Sequence, residues 1–177
     1  MKYPTLLVLL FWSAHLSAQI DSSATAISAE QSLETWPASE GRIRFRDGDF
    51  GFQDSTGKVV VSAQYEVASD FSQGLARVGK GGEEGFIRKD GSVAISLEYS
   101  KVWSFRDSVA MVKLGTRYGF IDHSGEWIIT PDFDHAQLPE EGMILVKKDG
   151  RFGYFSTKGD LRIPLAYEEA TPFFQGK

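Results

Sequence analysis

Tyr118-Gly119-Phe120-Ile121-Asp122-His123-Ser124-Gly125-Glu126-Trp127-Ile128-Ile129-Thr130-Pro131 is one copy of a pattern that fills most of this chain. Its Tyr-Gly-Phe opening returns as Phe50-Gly51-Phe52, Glu84-Gly85-Phe86 and Phe152-Gly153-Tyr154. The glycine six residues later returns at Gly57, Gly91 and Gly159, and an aromatic returns at Tyr65, Tyr99, Phe133 and Tyr167. Each return is 34 residues long, and the phase reads through four copies without insertion or deletion. A period of this size marks a supersecondary unit that buries its apolar face only by stacking on its neighbours. Positions shared by the copies therefore report architecture. Function belongs to positions that differ.

Taking the units as 41–74, 75–108, 109–142 and 143–176, each opens with a β-prone run such as Leu75-Ala76-Arg77-Val78 or Met143-Ile144-Leu145-Val146. Asp47-Gly48, Gly81-Gly82, Gly115-Thr116 and Asp149-Gly150 follow at one phase, supplying the positive φ of two-residue hairpin turns. The second strand carries the aromatic-Gly-aromatic motif, whose glycine admits a close neighbour because it lacks a Cβ. A longer turn closes on Gly57, Gly91, Gly125 and Gly159. The third strand pairs Val59/Val61, Val93/Ile95, Trp127/Ile129 and Leu161/Ile163 on one face, which places Trp127 in the core. Nothing has a helical period. The expectation is all-β: twelve short strands, three per repeat, in a curved solenoid-like array. A closed four-bladed propeller is the alternative.

The pattern aromatic-Gly-[Phe/Tyr]-Ile-Asp-x-x-Gly-x-x-Val-Ile-x-x-x-Tyr, followed by Phe-x-x-Gly-Leu-Ala-x-Val, resembles the WG repeat family. Residues 119–131 and the connecting Phe71-Ser72-Gln73-Gly74-Leu75-Ala76-Arg77-Val78 carry the likeness, which spans nearly all of 41–176. The tryptophan that names the family is Phe50, Glu84, Tyr118 and Phe152 here, and Glu84 implies that this position is partly exposed in the second copy. The resemblance implies a β-rich exported protein with a generic interaction role.

The N-terminus reads as an export signal over 1–18: Lys2, an apolar run from Leu6 to Trp12, and Ser17-Ala18-Gln19 as the cleavage region. Residues 19–40 are small and polar and read as a flexible linker, with Trp36-Pro37 as an exception that covers the end of the array. The absence of cysteine excludes disulfides, thiolate metal sites and a lipid anchor on cysteine. The formal net charge is −5, and loss of Lys2 with the leader makes it more negative. That charge argues against nucleic acid or an anionic membrane as a partner, and no membrane span is expected in the mature chain.

Catalytic and metal constellations are sparse. His135 follows Asp132 and Asp134, but the matching positions Glu66, Ser100 and Glu168 look like ordinary loop polarity, and zinc or iron asks for three or four convergent ligands. His123 stands in a turn without a nucleophile elbow beside it. Gly79-Lys80-Gly81-Gly82 resembles a phosphate loop only in composition, because a strand follows it. No cofactor is expected. Trp103, matched by Ser69, Gln137 and Thr171, is an aromatic that the scaffold does not demand. Arg42, Arg44 and Arg46 alternate along one strand and share a face that is mostly apolar in later copies. They read as a charged cap on the first unit, or as a stripe for an acidic partner. These four residues are the partner-binding candidates. The function expected is non-enzymatic protein–protein binding in the periplasm or outside the cell. Carbohydrate or cell-wall binding is the alternative, and a hydrolase with an unfamiliar site is the remote one.

Overall fold

The computed structural model describes residues 34–172; the expected leader and the linker up to residue 33 lie outside them. Apart from Glu34, these residues belong to one compact unit. Among the described residues there are sixteen strands and no helix, arranged as four antiparallel sheets of four strands. The second sheet shows the plan. β5 (Val67–Ala68) is a two-residue edge, β6 (Leu75–Lys80) and β7 (Glu83–Arg88) form a hairpin, and β8 (Val93–Tyr99) is the other edge. The first sheet comprises β1 (Glu34–Thr35), β2 (Ile43–Asp47), β3 (Asp49–Gln53) and β4 (Val59–Tyr65). The third has β9 (Lys101–Val102), β10 (Ala110–Leu114), β11 (Arg117–Ile121) and β12 (Trp127–Phe133). The fourth has β13 (His135–Ala136), β14 (Met143–Lys148), β15 (Arg151–Ser156) and β16 (Leu161–Tyr167).

The sheet thus has one strand more than the sequence suggests, and its boundary falls elsewhere. The return loop after each long strand contributes the short edge of the next sheet. Residues 34–40, read as the end of a flexible linker, supply that edge for the first sheet. Trp36 N–H donates to the Arg44 carbonyl at 3.0 Å, just as Ser69, Trp103 and Gln137 donate to Arg77, Met111 and Leu145 at 2.9 Å. These equivalences also reveal a missing residue. Asp47 pairs with Asp49 across Gly48 alone, whereas Lys80 and Glu83 close over Gly81 and Gly82. The first hairpin is one residue short, so Arg44 matches Arg77 and not Val78.

Each second-strand glycine accommodates a bulge. Phe50 and Phe52 pair with Tyr65 and Val61, so three residues of β4 crowd opposite Gly51. A Cβ on Gly51 would stand 2.6 Å from the Val61 carbonyl oxygen, and one on Gly85 2.5 Å from that of Ser96. A side chain there would push the long strand off its partner. A second irregularity, between Phe52↔Val61 and Gln53↔Val59, rolls the start of the long strand onto the opposite face. Val61, Ile95 and Ile129 are consequently buried, while Val59, Val93, Trp127 and Leu161 are exposed. Alternation alone had put both members of each pair inside. Trp127 is not a core residue: it is 39% exposed.

Three buried clusters hold the sheets together, and each joins consecutive sheets. Phe52, Val61 and Tyr65 of the first meet Ala76, Val78 and Ile87 of the second. Phe86, Ile95 and Tyr99 then meet Ala110, Val112 and Ile121, and Phe120, Ile129 and Phe133 meet Ile144 and Val146. Phe71 and Phe105, from return loops, close the first two clusters against Phe52 and Phe86 with ring centroids 5.0 Å apart. None of these clusters joins the first sheet to the fourth. The aromatic buried in the first three copies is Tyr167 in the last, and it is 51% exposed. The fold is an open, solenoid-like stack and not a closed ring.

Candidate interaction surfaces

Arg42, Arg44 and Arg46 share a face, as their spacing requires. With the first hairpin one residue short, that face is the one turned toward the second sheet. Arg44 donates to the Ala68 carbonyl at 2.6 Å, lies 3.6 Å from the Asp70 carboxylate, and holds its guanidinium 4.5 Å from the Trp36 ring centroid. Arg77 repeats the first contact one sheet later, donating to the Val102 carbonyl at 3.2 Å. Arg42 donates to the Lys89 carbonyl at 2.9 Å. Arg46 is exposed, donates to the Gly48 carbonyl at 3.1 Å and covers the Phe50 ring at 5.3 Å. Arg42 and Arg44 join the sheets, and neither caps a bare end.

Arg46 belongs to a recurring cross-strand pair. Arg46↔Phe50, Lys113↔Tyr118 and Lys147↔Phe152 stand directly opposite, each with the cation 4.7–5.3 Å from the ring centroid. At that range a cation is attracted to the negative face of the ring. Trp103 packs on the same column. Its ring lies 6.0 Å from Tyr118 and it is half-buried against the third cluster. Trp36 occupies the matching place in the first sheet, 5.6 Å from Phe50. Trp103 therefore fills a gap that the scaffold also fills with Trp36.

The second sheet departs from this column. Gly79 stands opposite Glu84, in place of both cation and ring. Glu84 is only 7% exposed, contrary to the exposure expected for it. Its Oε2 accepts from the Val102 N–H at 2.9 Å and its Oε1 lies 3.3 Å from Lys101 Nζ. Val102 lies on the short edge strand β9. Its outward N–H and C=O are taken by Glu84 and Arg77, which leaves no bare edge there. Beside Glu84 opens a pocket of about 230 Å³ lined by Glu66, Gly79, Lys80, Glu83, Ser100 and Lys101, among others.

The other surface is apolar. Val59, Val93, Trp127 and Leu161 are 52%, 53%, 39% and 52% exposed and begin the long edge strand of every sheet. Single exposed apolar residues are ordinary, but recurrence at one position in four stacked sheets makes a line of them. Trp127 also meets Tyr99 of the preceding sheet edge-on at 6.0 Å.

The histidines have local roles. His123 stacks on Phe105 at 4.0 Å, covering the second cluster, and His135 is exposed and edge-on to Tyr118 at 6.0 Å. Asp132 pairs with Lys148 and Asp134 with Arg117. Among the described residues no group of three or more histidine or carboxylate side chains converges on a metal position. Among the described residues there is no helix long and apolar enough to cross a membrane.

The WG containing repeat family matches four times, over residues 50–83, 85–115, 118–152 and 152–177. The chain belongs to this family. No curated protein matches it. Membership explains the aromatic column: Phe50, Glu84, Tyr118 and Phe152 stand where the WG repeat has its tryptophan. An aromatic there is roofed by a cation from the opposite strand, and in the first and third sheets a tryptophan, Trp36 or Trp103, packs beside it as well. Sequence reasoning found the position but missed Trp36 as the partner of Phe50. The single-residue gap at Gly48 hid the equivalence of Trp36 and Trp103.

Proposed function

We propose that this WG repeat protein is a non-enzymatic binding module that engages a protein partner along the exposed line Val59–Val93–Trp127–Leu161. The observation behind the reading is that one position, on the free edge strand of every sheet, is apolar and solvent-facing in all four copies. A partner laid along the stack gains one apolar contact per sheet, so affinity grows with repeat number. The charged leader-like start and apolar run at 1–18 support export, and we place the action in the periplasm or outside the cell.

A carbohydrate reading rests on Trp127, whose ring is partly free to stack on a sugar. The two readings part on one comparison. Protein lacking residues 1–18 captures its partner from an envelope fraction, and Val59→Lys/Val93→Lys/Leu161→Lys abolishes capture with an unchanged melting temperature. Undiminished capture by that variant overturns the reading. Binding on a glycan array that is lost in Trp127→Ala alone moves the function to sugars.

A further inference from the structure

In three sheets a strand cation lies over the family aromatic, and in the second sheet both are gone. Gly79 replaces Arg46, Lys113 and Lys147, and Glu84 replaces the ring. What remains is a pocket of about 230 Å³ with a buried carboxylate in its wall. That volume is below the range usual for drug-sized ligands and suits one side-chain head. The lining residues carry three carboxylates (Glu66, Glu83, Glu84) and two ammonium groups (Lys80, Lys101), so the lining is net negative by one charge.

We propose that this pocket takes the lysine or arginine side chain of a protein partner, which supplies in trans the cation that Gly79 omits. The inference rests on the protein-binding reading above and names part of the partner's chemistry. Glu84 is suited to the task. Its Oε2 is anchored by the Val102 N–H, which fixes the carboxylate, while its Oε1 is held only by Lys101. Lys101 is 45% exposed along its side chain, and an ion pair of that kind is weak and easily exchanged. An incoming guanidinium or ammonium group displaces Lys101 into water and takes Oε1. The Glu66 carboxylate, which accepts from the Gly81 N–H at 3.2 Å, lies in the same lining. The apolar line anchors the partner, and this pocket selects for a basic residue in it.

The test uses the whole protein and blocked tripeptides Gly-Arg-Gly, Gly-Lys-Gly and Gly-Gln-Gly, followed through the backbone amide resonances of Gly79 to Glu84 and Ser100. The basic peptides produce saturable shifts there that weaken with salt, and the glutamine peptide produces none. Glu84→Gln weakens binding about tenfold or more, the loss of one charge-assisted hydrogen bond. Lys101→Gln strengthens it, because the internal competitor is gone. Gly79→Lys restores the cation found in the third and fourth sheets and abolishes binding. If that variant does not fold, the opposite signs of Glu84→Gln and Lys101→Gln still decide. Equal shifts with the glutamine peptide overturn the proposal, as does weaker binding in Lys101→Gln. n-Butylammonium binding as tightly as the peptides assigns the pocket to small amines and overturns it too. Because the peptides read the pocket alone, their failure leaves the apolar line standing.

Discussion

Arg44 shows how much a single residue's phase decides. Counted in strict 34-residue steps it coincides with Val78 and looks like a charge on an uncovered face. Counted by register it coincides with Arg77, and both reach the carbonyl of the next sheet's short edge strand. The guanidinium is desolvated and wedged between Trp36, Phe50 and the Ala68 carbonyl. Arg44→Gln is therefore expected to cost about 1–3 kcal/mol, from a charge-assisted hydrogen bond and two ring contacts. Arg46→Gln, at an exposed site, stays within about 0.5 kcal/mol of the parent. Urea unfolding of the two variants checks this, and equal effects contradict the inter-sheet role of Arg44. The second-sheet glutamate tells the same lesson. An acidic residue in an aromatic column reads as exposed, but the edge N–H of Val102 gives it a buried partner.

At the scale of the element, the turns between the second and third strands are built on aspartate. Asp122 Oδ1 accepts from Ser124 Oγ, Ser124 N–H and Glu126 N–H at 2.6, 2.8 and 3.0 Å. Asp54 is held in the same way by Thr56 and Lys58; in the second turn Arg88 stands at that position, and Asp90, two residues on, accepts from the Ser92 N–H and Oγ. These bonds favour the charged form. The side-chain hydroxyl comes first, from Ser124, Thr56 and Ser92 respectively, and it draws each carboxyl below the ordinary aspartate value of 3.8. A carboxyl whose pKa is depressed on folding stabilises the fold fully above the unfolded value and loses that contribution as pH falls through the folded one. Melting temperature should thus be flat down to about pH 4 and fall below it. The triple variant Asp54→Asn/Asp90→Asn/Asp122→Asn should melt lower at pH 6 and show a shallower acid decline. An acid limb as steep as the parent's would place the titration elsewhere. In the fourth turn Ser156 Oγ accepts from the Lys158 and Asp160 N–H groups, each at 3.2 Å.

At the scale of the whole molecule, the described residues are held by nearest-neighbour interfaces, three clusters for four sheets. Removal of residues 109–142, joining Ser108 to Met143, keeps every later strand in phase and lets Ile144 and Val146 meet Phe86, Ile95 and Tyr99. The shortened chain is expected to keep a β-type circular dichroism spectrum with lower stability. A disordered spectrum would show that the interfaces are not interchangeable. The sequence alone determined the all-β class, the four-fold repetition, the glycine turns and the family, because each follows from local spacing and from backbone conformations that only certain residues adopt. It misplaced the sheet boundary, the outward turn of Trp127, the direction of the arginine face and the burial of Glu84. Those depend on two bulges, on a one-residue gap in a turn, and on a return loop pairing with the next hairpin. A strand's period of two records which residues share a face but not which way the face looks. Only the packing of one sheet on the next decides that.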